Sequence, residues 1–322
     1  GQLFSFPFVR GDESLNFSGG IIIRQDWLDD LGLEMPKTAD EWEKVLLAFK
    51  EKKGCTAPFS FMSTNTFASA FNTTADYYVE DGKVKYGPLD EGFKPYLETM
   101  NKWYKEGLID PSFATLDTKT VEANILNGTS GVAHGSIGSG IGKWMASAKT
   151  EGYSLSGAPV PVPTRDAKAK FGVYQLPVTA SRTAFDAIST GCKNIDAAIK
   201  YLDYGYSEEG RMLYNFGIEG KSYVMKDGYP TYTEEITNNP EGLSMTVALA
   251  KYTRSYSTGP FIQDKRYMEQ YASLPQQKEA WATWSDTDVA KYTLPHLYMK
   301  NDELTEYAQL NNDINTYVNE VV

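Results

Sequence analysis

The chain has 322 residues, and its 42 acidic against 31 basic side chains give a net charge of −11. This length suits two domains with ordinary cores, and the acidic balance argues against nucleic acid, whose phosphates need a basic surface. No signal peptide is visible, and no apolar run approaches the roughly 18 residues of a membrane span. The sequence therefore predicts a soluble chain, or the soluble part of a longer one.

Strands and helices are predicted to alternate along the first half of the chain. The clearest helix follows Thr38 and Glu41, which have the spacing of a capping box, and its apolar residues fall on one face. Helices are expected to end at Gly32, Gly107 and Gly128, because glycine tolerates the backbone that closes a helix. The predicted strands cover residues 1–9 and 21–23, and the predicted helices cover 24–32, 38–53, 93–106 and 118–127.

The second half begins with a Gly/Ser-rich stretch, residues 131–142, that leads into a helix near Trp144. Residues 158–163 are expected to be extended, 184–190 to form a strand and 195–206 a helix. Ser207 is suited to cap the next helix, Gly217 to end it in the left-handed C′ conformation, and a Gly-Ile-Glu-Gly turn to follow. Helices, including one at 274–284, are predicted for most of the remainder. This alternation indicates an α/β architecture.

The sequence shows no established catalytic or metal-binding motif. His134 and His296 are the only histidines, so a multi-histidine metal site is excluded within one chain, and no cofactor is predicted. The stretch from Gly138 to Lys143 fails as a phosphate loop, because Ile137 and Trp144 replace required residues. A glycosidase carboxylate pair stays open, since its members can lie far apart in sequence. Cys55 and Cys192 are interpreted as partly buried thiols, with a disulfide as the alternative.

Several blocks of the sequence together carry a resemblance to a known family. Residues 207–223, SEEGRMLYNFGIEGKSY, are similar to a segment of bacterial extracellular solute-binding proteins, the substrate-binding lipoproteins of ABC transporters. Within that family, the chain resembles the large oligosaccharide-type receptors of Gram-positive bacteria. Further blocks keep the family's order at residues 23–41, 81–87, 104–111, 127–131 and 313–318.

The resemblance implies a periplasmic-binding-protein-like (type II) fold, a two-lobe α/β architecture with a hinge, lacking the N-terminal part of lobe 1. Residues 1–20 are then an inter-lobe crossing segment, 21–182 lobe 2, 183–285 the remaining part of lobe 1, and 286–322 a helical return to lobe 2. Many relatives carry a calcium loop after the helix at 38–53. Residues 51–56 lack its carboxylates, so no metal is expected there.

The implied protein is a non-enzymatic receptor that captures an oligosaccharide in an inter-lobe cleft. It delivers this carbohydrate to the permease subunits of an ABC importer for transmembrane transport. The receptor is expected to be an extracellular monomer, held at the cell surface by an N-terminal lipid anchor absent from this chain. The alternatives are a glycan-processing hydrolase and a receptor for a peptide or another small solute.

Candidate ligand-binding residues follow from the expected cleft and from side-chain type. Arg10 and Asp12 lie in the first crossing loop, where a guanidinium or carboxylate can hold vicinal hydroxyls; plain solvation is the alternative. The aromatic candidates are either stacking platforms or core residues, and Glu219 is either a ligand contact or a turn residue. His134 is expected in a Gly-rich turn, where it is bonded to solvent or backbone, contacts the ligand, or takes part in catalysis. The full set is Arg10, Asp12, His134, Trp144, Tyr174, Phe185, Glu219, Trp281 and Trp284.

Overall fold

A computed structural model describes residues 5–61, 65–172, 185–243, 245–254, 259–294 and 300–321 of the chain. The described residues form two compact units by their internal contacts. Unit 1 comprises those of Gly1–Asp30, Val132–Pro159 and Tyr174–Asp286, and unit 2 comprises those of Leu31–Gly131, Val160–Val173 and Thr287–Val322. The lobe boundaries implied by the resemblance stay a prediction.

Short strands and mostly short helices make up both units. The strands are β1 (Phe6–Pro7), β2 (Val9–Arg10), β3 (Gly19–Arg24), β4 (Phe59–Ser60), β5 (Tyr77–Glu80), β6 (Lys83–Tyr86), β7 (Val132–Ser136), β8 (Leu155–Ala158), β9 (Phe185–Asp186), β10 (Tyr223–Lys226), β11 (Tyr229–Tyr232) and β12 (Ile262–Gln263). The α-helices are α1 (Gln25–Leu31), α2 (Ala39–Lys53), α3 (Phe93–Lys105), α4 (Thr118–Asn127), α5 (Lys143–Ser147), α6 (Ile195–Asp203), α7 (Glu208–Phe216), α8 (Glu234–Thr237), α9 (Met245–Leu249), α10 (Lys265–Tyr271), α11 (Pro275–Ser285) and α12 (Asn301–Val321).

Strand β3 lies at the centre of the main sheet of unit 1. It pairs antiparallel with β7 on one side and with β8 on the other, so that Ile22 lies opposite both Ala133 and Gly157. Ile21, Ile22 and Ile23 are completely buried, and alternate residues of a strand point to opposite faces. Both faces of β3 are therefore covered, which explains its continuous apolar run.

Helix α11 packs directly on this sheet because two strand residues are glycines. A Cβ atom on Gly20 would lie 2.5 Å from the Trp284 indole nitrogen, and one on Gly157 would lie 2.4 Å from the Cβ of Ala280. The Trp284 indole N–H donates to the carbonyl of Ala158 over 3.1 Å. The close approach thus buries Trp284 and also satisfies its one polar atom.

A second cluster of unit 1 surrounds the hairpin of β10 and β11. Its buried residues include Phe216, Tyr232 and Leu249. The hairpin turns at Asp227 and Gly228, whose φ angles of 50° and 77° are those of a type I′ turn. The Tyr232 hydroxyl donates to the carbonyl of Asn215 over 2.7 Å, which joins the hairpin to the end of α7.

The core of unit 2 is aromatic. The ring of Phe67 meets those of Trp42 and Trp103 edge to face, each at a centroid distance of 5.3 Å, and that of Phe59 at 5.0 Å. Such edge-to-face pairs are favoured by the quadrupoles of the rings. The predicted face of α2 is confirmed, because Trp42, Val45, Leu46 and Phe49 are its buried residues.

Asp110, which follows α3, lies at the centre of a buried polar network. The Asp110 carboxylate accepts from the Ser60 hydroxyl at 2.9 Å, from the Asn124 amide at 3.0 Å and from the backbone N–H of Ser112 at 2.9 Å. A buried carboxylate needs such donors, since its desolvation is costly. Asp110 is therefore a structural residue of unit 2.

Most helix ends agree with the sequence, and three predictions need correction. Ser207 caps α7 as predicted, accepting from Gly210 N–H over 3.0 Å. Gly217 has a positive φ of 83°, but its ψ of −127° lies outside the left-handed helical region, because Ile218 N–H turns towards the Ser222 hydroxyl. His134 lies in strand β7, not in a turn, since its backbone pairs with β3. The predicted strand at 184–190 shortens to the two residues of β9 within the described part.

Candidate functional site

Unit 1 contains a pocket of about 330 Å³ between its helices and the end of strand β7. Of the residues that the structure describes, aromatic, apolar and polar side chains line it, with a single charged one among them. The lining residues are Ser18, Ser136, Ile137, Gly138, Ser139, Tyr214, Asn215, Thr246, Leu249, Ala250, Thr253, Arg254, Phe261, Gln263, Tyr267, Met268 and Tyr271.

Helix α10 supplies one aromatic wall of the pocket. Tyr267 and Tyr271 are four residues apart, so both lie on one helix face, and their rings stack with a centroid distance of 5.6 Å and an interplanar angle of 21°. The Tyr271 and Thr246 hydroxyls lie 2.9 Å apart. A Cβ on Gly138 would lie 2.3 Å from the Tyr271 ring, so only glycine allows the loop to approach this closely.

The carboxylate of Asp264 fixes where α10 begins. It caps the helix by accepting from Arg266 N–H at 2.9 Å, and it forms ion pairs with the guanidinium groups of Arg266 at 2.7 Å and Arg211 at 2.9 Å. Burial opposes ionisation of this carboxyl, but the hydrogen bonds from Arg266 and the charge of Arg211 outweigh it, so the pKa of Asp264 lies below its usual value.

Tyr214, on helix α7, forms the second aromatic wall. Its ring meets that of Phe261 edge to face at 5.8 Å, and the guanidinium carbon of Arg254 lies 5.2 Å from its centroid. That distance is within the range of a cation–π contact. Arg254 is half-buried, and it is the charged residue of the pocket lining.

Two buried amides stand behind these walls, and they differ in their hydrogen bonding. The Asn215 amide donates to the carbonyls of Arg211 and Ile262, and its oxygen accepts from Asp264 N–H, each over 2.8 Å. Gln263 is 2% exposed, and its Oε1 has no hydrogen-bond partner within the part of the chain that the structure describes. Asn215 thus joins α7 to the segment around Ile262 and Asp264, whereas the Gln263 oxygen is buried beside the pocket without such a bond.

The rim of the pocket carries two serine hydroxyls. Ser136 ends strand β7 and caps the π-helix Ile137–Gly142 by accepting from Ser139 N–H at 3.1 Å. The two hydroxyl oxygens lie 2.8 Å apart, and Ser139 is exposed. Hydroxyls both donate and accept, so this rim suits a ligand with several hydroxyl groups.

Arg10 and Asp12 lie outside the pocket lining. Arg10 is buried in β2, where it pairs with Gln263 of β12 in parallel register. Asp12 caps the short 3-10 helix Glu13–Asn16, and the Ser14 hydroxyl that donates to it over 2.5 Å holds the pKa of Asp12 below its usual value. Both residues have structural contacts here, and their predicted ligand contacts remain untested.

His134 and Trp144 also lie outside the lining, although the segment between them contributes to it. Burial lowers the pKa of His134 from 6.5 to about 4, so its imidazole is neutral at pH 7. Trp144 is 2% exposed in α5, and its indole N–H has no hydrogen-bond partner in the described part of the chain. This burial agrees with the alternative interpretation of Trp144 as a core residue.

The remaining predicted residues are dispersed over the described chain. Phe185 is exposed in β9, and Glu219 is exposed in the turn after α7, where Gly220 N–H donates to the Tyr223 carbonyl. Trp281 is half-buried and donates from its indole N–H to the Ser14 carbonyl over 2.7 Å. Trp284 is buried against the sheet as described above, which matches its core alternative. Tyr174 lies outside the described residues.

Sequence reasoning missed the side chains that do line the pocket. One available signal was that Tyr267 and Tyr271 are four residues apart and therefore share one helix face. Asp264, a residue type suited to cap a helix, precedes them. Tyr214 lies inside the segment 207–223 that carries the family resemblance, but its helical position alone does not distinguish a pocket residue from a core residue. Arg254 and Gln263 carry no local pattern, because only the tertiary fold brings them to the pocket.

Comparison with known sequences decides the family. Residues 8–212, more than half of the chain, match the sequence profile of the bacterial extracellular solute-binding proteins. The chain belongs to this family. The resemblance seen in the sequence is therefore confirmed, and membership assigns the chain to a class of solute-binding proteins rather than enzymes.

Two relatives in this family cover different shares of the chain. The lipoprotein LipO of Bacillus subtilis is 27% identical over 270 residues, which are 76% of this chain and 52% of LipO. The fructooligosaccharide ABC transporter substrate-binding protein FusA of Streptococcus pneumoniae is 34% identical over 131 residues, which are 34% of this chain and 24% of FusA. The chain thus spans about half of LipO and a quarter of FusA.

Solved structures confirm the fold. The crystal structure of the alginate-binding protein AlgQ2 without calcium ion superposes with a TM-score of 0.72 at 24% identity, covering 99% of this chain and 66% of that chain. The predicted α/β fold of the periplasmic-binding-protein type is thereby confirmed. Among the described residues, no helix combines the length and the apolar character needed to cross a membrane, and no group of three or more His, Cys, Asp or Glu is suited to hold a metal ion.

Proposed function

We propose that the protein is an extracellular receptor that captures an oligosaccharide in the unit 1 pocket and delivers it to an ABC importer. The observation that carries this proposal is the composition of the pocket, in which tyrosine rings face a cavity with hydroxyl and amide groups at its edges. The C–H face of a sugar ring packs on an aromatic ring, and its hydroxyls need donors and acceptors. A concave site with a few placed polar groups meets both needs.

The unpartnered Oε1 of Gln263 supports a polar ligand in particular. A buried acceptor without a hydrogen bond costs about 1–3 kcal/mol, and a sugar hydroxyl that donates to it would recover that cost. The relatives point the same way, since FusA is named for fructooligosaccharide and AlgQ2 for alginate. Membership of the solute-binding family supports a role in capture and transport rather than in hydrolysis.

The finer parts of the proposal concern location and assembly. The receptor is proposed to be a monomer held at the cell surface by a lipid anchor, in line with the name of the lipoprotein LipO. The lobe boundaries at residues 20, 182 and 285 belong to the same proposal. So do the ligand contacts predicted for Arg10, Asp12, His134, Trp144, Tyr174, Phe185, Glu219, Trp281 and Trp284, which supplement the pocket residues.

A thermal-shift screen of the purified protein tests the proposal. The panel contains oligosaccharides of three to five units, peptides and single amino acids. A ligand that binds only the native state, at 100 times its dissociation constant, adds about 2.7 kcal/mol to the free energy of unfolding. We expect a rise in Tm with one oligosaccharide series and no release of reducing ends from it.

Two outcomes contradict the proposal in different ways. A rise in Tm with peptides alone would exclude the carbohydrate ligand and leave the receptor fold in place. Turnover of an oligosaccharide, measured as new reducing ends, would exclude the non-enzymatic role and favour a glycan-processing hydrolase.

A further inference from the structure

The electrostatics of the pocket distinguish it from the rest of the protein. Among the described residues, Arg254 is the one charged side chain that lines it, and no aspartate or glutamate does, although the chain has 42 acidic side chains. Carboxylates are the acceptors that would hold the hydroxyls of a neutral sugar in pairs. The guanidinium of Arg254 is thus the one formal charge among the described lining residues.

The guanidinium of Arg254 differs from those of Arg211 and Arg266 in the groups that it contacts. Arg211 and Arg266 both form ion pairs with Asp264, at 2.9 and 2.7 Å. Within the part of the chain that the structure describes, no carboxylate forms an ion pair with Arg254, and its recorded contact is with the Tyr214 ring. Its N–H donors are therefore not committed to an acid of this chain.

The position of Arg254 is nonetheless restricted. The Tyr214 ring lies on one side of its guanidinium, with 5.2 Å between the guanidinium carbon and the ring centroid. Gly259 is also close, since a Cβ atom there would come within 2.9 Å of Nη2 of Arg254. A planar guanidinium held against a ring retains the edge donors that recognise a carboxylate through two parallel hydrogen bonds.

We propose that the ligand of this pocket is an acidic oligosaccharide, with a uronate carboxylate bound by Arg254 and neighbouring sugar rings packed on Tyr214, Tyr267 and Tyr271. The proposal rests on the proposed function, since it specifies the class of carbohydrate bound. Gln263 and the Ser136 and Ser139 hydroxyls then serve the hydroxyl groups of the same ligand. A carboxylate also supplies the negative charge that the pocket itself lacks.

Isothermal titration calorimetry with matched sugar pairs tests this assignment. The probes are uronate trimers of galacturonate, glucuronate and mannuronate, each paired with the neutral trimer of the same linkage, and a sulfated neutral trimer. We expect one uronate trimer to bind at least tenfold more tightly than its neutral partner. Raising salt from about 50 to 500 mM should weaken the binding of the uronate and spare that of the neutral sugar, since salt screens charge.

Variants assign the effect to Arg254. Arg254→Gln should weaken uronate binding about 10- to 100-fold, as loss of a charge-assisted pair predicts, and weaken neutral-sugar binding by a clearly smaller factor. Arg254→Lys keeps the positive charge but loses the planar guanidinium. Its affinity for the uronate trimer should lie between those of the wild type and Arg254→Gln. Lys251→Gln removes one positive charge three residues away, from an exposed ion pair with Glu241, and should bind uronate like the wild type. The Tm of each unliganded variant verifies its folding.

The outcomes separate this inference from the proposed function. Neutral trimers that bind as tightly as uronates, an unchanged affinity of Arg254→Gln for uronate, or a preference for the sulfate ester would overturn the uronate assignment and leave an oligosaccharide receptor. If salt weakens the binding of the uronate and of its neutral partner equally, the ion pair between Arg254 and the uronate carboxylate is likewise excluded. No binding of any carbohydrate, with binding of peptides, would instead overturn the proposed function.

Discussion

Gln263 and Gln277 are both buried amides of unit 1, and they differ in what their polar atoms contact. Gln277 donates from its amide to the Ile137 carbonyl at 2.8 Å and accepts from Leu274 N–H at 2.9 Å. Gln263 leaves its Oε1 without a partner in the described part of the chain. The first arrangement stabilises the fold, and the second is expected where a ligand completes the hydrogen bonding.

Replacing each glutamine by methionine, which has a similar shape, separates these roles. Gln263→Met removes an unsatisfied acceptor and should leave the free energy of unfolding unchanged or raise it by up to about 1–3 kcal/mol, while oligosaccharide binding weakens. Gln277→Met leaves two backbone groups without partners and should cost about 1–3 kcal/mol. Urea unfolding and calorimetry measure the two quantities. A destabilised Gln263→Met with wild-type affinity would show that Gln263 is structural.

His134 makes stability depend on pH. Burial lowers its pKa from 6.5 to about 4, so between these values the unfolded chain binds a proton that the folded chain does not. The contribution of His134 to the free energy of unfolding is therefore complete above pH 6.5 and decreases as the pH falls towards 4. At about 1.4 kcal/mol per pH unit, the total loss is about 3 kcal/mol.

The measurement is urea unfolding of the wild type and of His134→Gln from pH 7 to pH 4. The difference between the two free energies isolates His134 from the acidic groups, which titrate in both proteins. We expect that difference to shrink as the pH falls. Parallel curves would mean that the imidazole titrates alike in the folded and unfolded chain.

At the scale of elements, the capped helices were predictable and the hairpins were not. Helix α4 has the predicted bounds, because Asp117 caps it and Gly128 closes it with a φ of 76°. The hairpins at Asp81-Gly82 and Asp227-Gly228 were missed, although an aspartate–glycine pair is a strong hairpin signal. Their strands are only four residues long, and so short a stretch gives little room for an alternating apolar pattern to be recognised.

Glycines decide how closely α11 approaches the sheet of unit 1. Gly20→Ala places a methyl group 2.5 Å from the Trp284 indole, and overpacking of this kind costs about 1–3 kcal/mol. Gly191→Ala is the matched control, since the nearest atom to its Cβ would be 3.8 Å away, and its effect should stay within about 0.5 kcal/mol. Thermal unfolding compares the two. An equal loss of stability in the two variants would contradict the close packing of Trp284 against Gly20.

Asp264 links the start of α10 to α7 through its two arginine partners. Asp264→Asn leaves Arg211 and Arg266 without their carboxylate; because both arginines are partly exposed to solvent, the loss should be about 1–3 kcal/mol, as for hydrogen bonds to a charged group. The surface pair of Asp288 and Lys291 provides the control, because Asp288→Asn should cost less than about 1 kcal/mol. Chemical denaturation gives both values. A loss at Asp264 no larger than at Asp288 would exclude it as the anchor of α10.

At the scale of the whole molecule, the family could be predicted from the sequence, whereas the pocket could not. Motif blocks are local and keep their order along the chain, so they identify the family without knowledge of the fold. The pocket instead brings together Ser18, the loop after β7, α7 and the segment from Thr246 to Tyr271. The predicted site residues were chosen by local motif and side-chain type, and none of those described lines this pocket.

The central claim is that the pocket of unit 1 holds an oligosaccharide between its tyrosine walls. A crystal structure of the protein grown with the oligosaccharide that raises its Tm most tests this directly. We expect a sugar ring within about 4 Å of the Tyr214, Tyr267 or Tyr271 rings, the contact distance of packed groups, and a hydroxyl donating to Gln263. A sugar bound at another site, with this pocket open to solvent, would contradict the account.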